Sequence, residues 1–181
     1  MLILFLSANF CINFKQINLM LWIRGLVFTI LIPGSVAGYI PWLLARNQKP
    51  DLDWNNWHYA GLPVLITGII IYTITVLSFI MRGKGTPAIW FTEAIGWLIG
   101  KEPIKMVSSG LYKYSRNPMY LGVMTTVLGE GIFFGYSILL WYCMVLFIIF
   151  HLVIVLIEEP HLSRKFGEEY KQYKKRTRRW F

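Results

Sequence analysis

The sequence predicts an all-α protein that crosses a membrane about four times. Three observations lead to this fold class: an apolar composition, apolar blocks of membrane-spanning length, and basic residues gathered largely on one side. Apolar residues make up 56% of the chain and charged residues only 15%, whereas a soluble domain carries about a quarter. We therefore expect a polytopic bundle of transmembrane helices with interfacial helices on the cytoplasmic side, and not a water-soluble globule.

Four apolar blocks have the length of membrane-crossing helices: Leu19–Leu44, Tyr59–Met81, Pro118–Phe134 and Ser137–Ile157. About 20 apolar residues cross the hydrocarbon core. Three blocks reach this length, and the third suffices if it lies nearly upright. Residues 1–14 are apolar but too short to span, and they lack the features of a secretory signal. An interfacial helix is expected there, with a fifth, partial span as the alternative.

These blocks divide the chain into three regions. Residues 1–18 form an apolar N-terminal segment, and residues 19–81 hold the first two transmembrane helices. Residues 82–181 hold a cytoplasmic loop, a helical hairpin and a basic C-terminal helix, and this region is where chemistry is expected. Cys11 and Cys143 show no metal-type spacing, so neither a metal site nor a disulfide framework is predicted.

The basic residues predict the orientation. With the N-terminus inside, fifteen of the eighteen Lys and Arg residues fall on one side of the membrane, and the short loop Asn47–Trp57 falls on the other. Cytoplasmic loops carry such an excess, so both termini are expected in the cytoplasm. The membrane would be the cell membrane of a prokaryote or the endoplasmic reticulum of a eukaryote. Orientation accounts for the basic tail, so no nucleic-acid partner is predicted.

Helix contacts can be anticipated from small residues and short turns. The connection Gly135-Tyr136-Ser137 at the junction of the last two blocks is too short for anything but a tight turn, which predicts an antiparallel hairpin with Pro118 and Glu158 at the same membrane face. Gly34 and Gly38 form a small-xxx-small step that predicts a close helix contact. Two segments are predicted to lie in the membrane interface: the aromatic stretch 89–99, and an amphipathic tail helix carrying Leu162, Phe166, Tyr170 and Tyr173.

The string Gly110-Leu-Tyr-Lys-Tyr-Ser-Arg-Asn-Pro-Met-Tyr-Leu-Gly122 opens the third block. Asn117 suits a helix N-cap and Pro118 suits the first helical turn. The start of a helix therefore explains the Asn-Pro pair. It does not explain an arginine and three tyrosines around the same helix start, where free backbone N–H groups favour an anionic group.

The adjacent carboxylates Glu158 and Glu159 end the fourth block on the basic side. A solvated boundary would explain a single acid. Two acids at the end of a span are less ordinary, because acids that face a helix bundle usually mark a site. The predicted hairpin places them opposite Tyr112, Arg116 and Asn117, so acids, aromatic rings and a guanidinium would meet at one place.

Three stretches, residues 83–88, 106–122 and 158–175, together resemble the integral-membrane methyltransferases that group isoprenylcysteine carboxyl methyltransferases with phospholipid N-methyltransferases. The matching strings are Gly-Lys-Gly-Thr-Pro-Ala, Met-Val-Ser-Ser-Gly-Leu-Tyr-Lys-Tyr-Ser-Arg-Asn-Pro-Met-Tyr-Leu-Gly and Glu-Glu-Pro-His-Leu. The resemblance implies methyl transfer from S-adenosylmethionine to a lipid or other hydrophobic acceptor at the cytoplasmic membrane face. It says nothing of oligomeric state.

The resemblance also implies roles for particular residues. Arg116 and Glu159 are the expected catalytic residues, with Arg116 pairing with the cofactor carboxylate or a lipid phosphate. The expected S-adenosylmethionine contacts are Met106, Val107, Tyr112, Asn117, Pro118, Met119, Tyr120, Glu158 and Glu159. Gly68 lies near the position of a cofactor-binding glycine in the phospholipid enzymes, although the second glycine of that motif is not evident.

The acceptor remains open at this level. Isoprenylcysteine enzymes carry His where this chain has Asn117, and an arginine that anchors the substrate carboxylate where this chain has Ile154. An isoprenylcysteine carboxyl methyltransferase is therefore the alternative within the family. An NADPH-dependent membrane reductase and a non-enzymatic scaffold are the alternatives outside it. For an amine acceptor, Glu130 and His151 are proton acceptors by residue type only, and helix packing explains both more simply.

Overall fold

A computed structural model of the chain describes residues 19–52, 55–83 and 106–180. Six α-helices occur in these ranges: α1 (Leu19–Leu31), α2 (Ile40–Ala45), α3 (Gly61–Ser78), α4 (Pro118–Phe134), α5 (Ser137–Val153) and α6 (Glu159–Arg176). Three π-helical turns extend or join them at Ser35–Tyr39, Phe79–Gly83 and Ile154–Glu158, and two 3-10 turns lie at Asn55–Ala60 and Gly110–Lys113. The predicted N-terminal helix and the interfacial stretch 89–99 lie outside the described residues.

The predicted helical bundle is confirmed. Three continuous helices are long and apolar enough to cross a membrane, namely Trp22–Ala45, Asn56–Met81 and Ser137–Arg176, and α4 is a shorter apolar helix. The 17 residues of α4 extend about 25 Å at 1.5 Å per residue, somewhat less than the hydrocarbon core. These helices coincide with the four apolar blocks, except that the last one continues past Ile157 to Arg176.

The hairpin between α4 and α5 turns at one glycine. Gly135 has φ 72°, a left-handed conformation that a side chain disfavours. The backbone N–H groups of Asp51 and Leu52 both donate to its carbonyl at 3.0 Å. The Asp51 carboxylate accepts hydrogen bonds from the backbone N–H of Ser137, at 2.9 Å, and from its hydroxyl. The loop after the first span thus fixes the hairpin turn and caps the start of α5.

Close backbone packing between α3 and α4 forms the centre of the bundle. A Cβ added at Gly61 or Gly129 would lie 2.3 Å from a backbone nitrogen of the facing helix, and one at Gly68 would lie 2.4 Å away. One at Gly122 would lie 2.7 Å from the nitrogen of Tyr72. The glycines recur every seven residues on each helix, so the same face of each helix meets its partner. Gly68, which the resemblance placed near a cofactor-binding position, packs against α4 at this crossing.

The predicted contact through Gly34 and Gly38 is wrong. Among the residues that the structure describes, a Cβ at Gly38 would meet nothing within 4 Å, and one at Gly34 would approach Thr29 of the same helix alone. Both glycines lie at a π-helical turn. Because such a turn contains more residues than an α-helical turn, glycines four positions apart do not lie on the same face of the helix. The first span is instead held by side-chain hydroxyls, because Tyr72 donates to Thr29 Oγ1 at 3.0 Å and Tyr142 donates to the Val36 carbonyl at 2.9 Å.

The fourth span continues into α6 through the π-helical turn Ile154–Glu158. Gly167 interrupts α6 with φ 55°, and beyond it Tyr170 and Tyr173 are buried. The apolar side of this helix was predicted to lie on the membrane surface. It faces the protein instead, because the kink at Gly167 and the π-helical turn direct it over the end of the bundle where α4 begins. This end is called the site end, and the end at Gly135 is called the turn end.

Candidate active site

A cavity of about 710 Å³, including its open mouth, lies at the site end. Of the nine residues predicted to contact the cofactor, eight line this cavity, and Arg116 lines it as well. The exception is Pro118, which is buried in the first turn of α4. The predicted meeting of the tyrosine-rich helix start with the two adjacent acids is therefore confirmed as geometry.

The two adjacent carboxylates have different partners. Tyr120 donates its hydroxyl to Glu158 Oε1. Glu159 Oε1 lies 3.2 Å from Nη1 of Arg116, and Arg179 holds the same carboxylate through Nε at 2.8 Å and Nη2 at 3.1 Å. Only 6% of Glu158 and 9% of Glu159 is exposed. One acid therefore lies beside a neutral hydroxyl, while the other is neutralised by two guanidinium groups.

The environment of Glu159 favours its ionised form. Burial acts to raise the pKa of this carboxyl, but the hydrogen bond from Arg179 and the charges of Arg116, Arg179 and Lys174 outweigh it, so the pKa lies below its ordinary value of 4.5. The same contact raises the pKa of Arg179. At neutral pH the three groups form a charged cluster in the cavity wall.

Arg116 reaches the cavity with donors to spare. Its Nε and Nη1 atoms are buried and have no hydrogen-bond partner among the described residues, although the charge of Nη1 is paired with Glu159. Buried guanidinium donors left without acceptors are costly. A planar fork of N–H groups at such a place suits a carboxylate or a phosphate oxygen. The wall thus provides a place for an anionic group beside the start of α4.

Tyrosines form much of the wall. The ring of Tyr112 meets Phe79 edge-on with centroids 5.5 Å apart, and the ring of Tyr120 lies 4.6 Å from that of Phe150. The Tyr173 hydroxyl donates to the Tyr112 carbonyl at 2.7 Å. This bond joins α6 to the string Gly110–Gly122 at the start of α4, which is called the helix-start motif. Burial raises the pKa of Tyr170 to about 12 and that of Tyr112 well above its ordinary value. These side chains remain neutral at physiological pH.

The segment Thr177–Trp180 folds back over the helix-start motif. The Arg178 carbonyl accepts from the backbone N–H of Arg116 at 2.9 Å. The Arg179 carbonyl accepts from Nδ2 of Asn117 at 3.0 Å and from Oγ of Ser115 at 3.2 Å. Asn117 occupies the N-cap position of α4, but its side chain does not cap that helix. It binds the folded-back segment instead.

Several residues of the site were not predicted as such. The cavity wall also contains Phe79, Ile154, Leu162, Phe166, Tyr170 and Tyr173. The helical spacing of the last four was visible in the sequence and was assigned to the membrane surface. Arg179 had no signal, because a basic residue in a basic tail is indistinguishable from its neighbours until the tail is folded.

Neither proton acceptor named from residue type lies in this wall. Glu130 follows Tyr120 by ten residues along α4, which is about 15 Å of helix, and it lines a cavity at the turn end. Nδ1 of His151 accepts a hydrogen bond from the Trp180 indole at 3.3 Å, and the two rings stack with centroids 6.3 Å apart. Their positions favour roles outside the reaction.

Comparison with known proteins gives three findings. A family model described as phospholipid methyltransferase matches residues 57–169, which include the last three spans and half of α6. A protein of Haemophilus influenzae, described as uncharacterized, is 36% identical over 63 residues, which are 34% of this chain and 98% of that protein. No solved structure matches the chain.

Proposed function

The chain belongs to the phospholipid methyltransferase family, and on that premise we propose that it transfers a methyl group from S-adenosylmethionine to a lipid or other hydrophobic acceptor. The observation that carries this proposal is the cavity at the site end, where the buried Glu158 carboxyl, two tyrosine rings and the Arg116 guanidinium meet. The basic residues on that side support a cytoplasmic orientation, and both termini would then lie in the cytoplasm.

The wall has a counterpart for each charged part of S-adenosylmethionine. The donor molecule carries a sulfonium, an ammonium, a carboxylate and ribose hydroxyls, and when bound it supplies the electrophilic methyl carbon. The acceptor's lone pair forms the new bond as the carbon–sulfur bond breaks. The chain has an acid, aromatic faces and spare guanidinium donors in one wall, so the residues present fit this molecule.

Glu158 is proposed to hold the ribose hydroxyls or the amino group. Its carboxyl is buried in the wall, and the Tyr120 hydroxyl donates to one oxygen, which fixes its orientation. The faces of Tyr112 and Tyr120 favour the sulfonium by cation–π attraction of about 0.5–2 kcal/mol. Methyl transfer then needs mainly orientation and a suitable electrostatic environment, since no protein nucleophile takes part.

Arg116 is proposed to bind the donor's carboxylate or a lipid phosphate through its unpartnered Nε. Glu159 was expected to contact the cofactor directly, but its two ion pairs favour a positioning role in which it holds Arg116 in place. Asn117 and Pro118 start α4, and Met106, Val107 and Met119 supply apolar surface for the adenine or the methyl-bearing arm.

The wall also bears on the acceptor. Ile154 is 1% exposed and lines the cavity, so no cation stands where isoprenylcysteine enzymes anchor a substrate carboxylate. This favours a phospholipid-type acceptor over isoprenylcysteine. A scaffold would have no use for spare buried donors facing a cavity, and NADPH binding is the observation that would favour a reductase.

The test is a calorimetric titration of S-adenosylmethionine into the purified full-length protein in neutral detergent. We expect saturable binding that Glu158→Gln weakens at least about tenfold, because the substitution removes a charge while keeping the size of the side chain. Glu168→Gln is the matched control, since Glu168 forms only an exposed ion pair with Lys171. Equal affinities for all three proteins, or binding of NADPH instead, would contradict the proposal.

A second measurement addresses the acceptor. Membranes that contain the protein are supplied with a radiolabelled methyl donor, and the extracted lipids are separated by headgroup. We expect the label in a phospholipid fraction, dependent on Glu158. Label in prenylated proteins would support the isoprenylcysteine alternative.

A further inference from the structure

A second cavity lies at the turn end, between the first span and the hairpin. Its volume is about 680 Å³ including its open side. Its wall is formed by the π-helical turn and α2 of the first span, the end of α4 and the start of α5. It shares no lining residue with the cavity at the site end. The hydrogen bond from the Tyr142 hydroxyl to the Val36 carbonyl connects α5 to the first span.

One carboxylate oxygen of an acid in this cavity has no hydrogen-bond partner among the described residues. Glu130 lies inside a transmembrane helix, one turn before its end at Phe134, and its Oε2 atom is buried with no hydrogen-bond partner among the described residues. Acidic residues within transmembrane helices are rare because they are costly to bury, and they usually have a partner or mark a function. The described part of the chain shows no ion pair between Glu130 and Arg46, the cation in the same wall.

The charges of this cavity are arranged in order of depth. Glu130 is the inner group, because its Oε2 is buried. Arg46 is exposed, follows the last residue of α2, and lies with its guanidinium carbon 5.4 Å from the centroid of the Trp42 ring. The rest of the wall is mostly apolar and includes Pro41, Phe134 and Leu139. The cavity therefore suits a ligand that has a cationic group for the inner acid, an anionic group for the guanidinium at the mouth, and an apolar part for the surface beside it.

We propose that this cavity binds the headgroup of a zwitterionic phospholipid from the surrounding membrane. In such a lipid the ammonium is terminal, the phosphate follows, and the acyl chains come last. A headgroup entering first would place its ammonium at Glu130 and its phosphate at Arg46, where a charge-assisted hydrogen bond forms, and would leave the chains in the bilayer. The rings of Trp42 and Tyr136 would add cation–π attraction for the ammonium.

The lipid in this cavity is bound and not methylated. About 15 Å of α4 separates Glu130 from Tyr120, so an ammonium held here cannot reach a methyl donor at the site end. The inference therefore goes beyond the proposed function and does not depend on it. A bound lipid would fill the gap between the first span and the hairpin, and so would stabilise their packing.

Gly38 provides a test that adds no charge and removes no contact. It lines the cavity, and a Cβ placed on it meets no atom of the described residues within 4 Å. Because Gly38 lines the cavity and no described atom blocks its Cβ, Gly38→Leu is expected to occupy part of the cavity, and helix propensity favours the change. Gly38→Ala adds one methyl group at the same position and leaves most of the space open, which makes it the matched control.

The experiment measures binding of radiolabelled dodecylphosphocholine, doped at a few mole per cent into neutral maltoside micelles, to the full-length protein. We expect saturable binding of one molecule per protein, weakened at least about tenfold by Gly38→Leu and by Glu130→Gln. Gly38→Ala and Glu168→Gln should bind as the original protein does. Arg46→Gln should weaken binding of this probe but not of dodecyltrimethylammonium, which has no phosphate.

Unchanged binding in Gly38→Leu would overturn the proposal, and so would equal effects of Gly38→Leu and Gly38→Ala. If Glu130→Gln does not fold, the comparison of Gly38→Leu with Gly38→Ala decides the question alone. Titration of S-adenosylmethionine into each variant reports separately on the site end, so failure of this proposal and failure of the methyltransferase proposal are distinguishable.

Discussion

Arg179 holds Glu159 by two hydrogen bonds, Nε to Oε1 at 2.8 Å and Nη2 to Oε2 at 3.1 Å. The residues are twenty positions apart, and the contact joins the segment after α6 to the end of the fourth span. Because Arg116 meets the same carboxylate, one acid connects the helix-start motif, the end of the fourth span and the folded-back segment. The shape of the cavity wall depends on this junction.

Replacing Arg179 should loosen the junction. Arg179→Ala leaves Glu159 with Arg116 alone and is expected to destabilise the protein by about 1–3 kcal/mol, less than for a fully buried pair because the Arg179 side chain is 31% exposed. The thermal unfolding midpoint in detergent should fall by roughly 2–4 °C per kcal/mol. Lys171→Ala breaks an exposed pair and should change the midpoint little. Equal midpoints for the two variants would contradict the role of Arg179.

The same junction predicts a response to acid. The folded pKa of Glu159 lies below 4.5, so its contribution to stability is present in full above the unfolded pKa and is lost as the pH falls through the lower, folded value. Between about pH 5 and 3, the unfolding midpoint of the original protein should fall more steeply than that of Glu159→Gln, which cannot titrate. Parallel curves would show that Glu159 is not held as the structure has it.

The glycine crossing predicts a sharp contrast among alanine substitutions. Gly129→Ala would place a Cβ 2.3 Å from the backbone nitrogen of Leu65, so α3 and α4 must separate. Overpacking of this kind costs about 1–3 kcal/mol or more. Gly38→Ala meets open space and should leave the midpoint unchanged or slightly raised. A Gly129→Ala protein as stable as Gly38→Ala would mean that the helices do not pack backbone to backbone.

The hairpin turn predicts a smaller effect. Asp51→Ala removes the acceptor for the Ser137 backbone N–H and hydroxyl, and loss of this cap should lower the unfolding midpoint. Asp51→Asn keeps one acceptor oxygen and should lose less. Thermal unfolding of both variants at neutral pH gives the comparison. Loss of stability in Asp51→Asn as large as in Asp51→Ala would point to charge and not to capping.

Much of the fold could be predicted because it follows from local composition and the membrane. Apolar blocks of sufficient length must cross, since backbone groups in a bilayer are satisfied within a helix. A three-residue connection leaves only a hairpin, which is why Pro118 and Glu158 could be placed at the same end. The string around Asn117 and the paired acids, together with the family resemblance they carry, then identified nine residues of the cavity wall.

What the chain could not reveal depends on contacts between distant residues. The packing glycines carry no sign of which helix they face, so the step at Gly34 was predicted and the crossing at Gly61 and Gly129 was not. The apolar side of α6 was assigned to the membrane because amphipathicity has the same pattern whether lipid or protein covers it. The different partners of Glu158 and Glu159 arise only when Arg179 returns to the site. Composition and local pattern thus determined the spans and part of the site, and tertiary packing alone decided which further residues complete the site and which of its charges are paired.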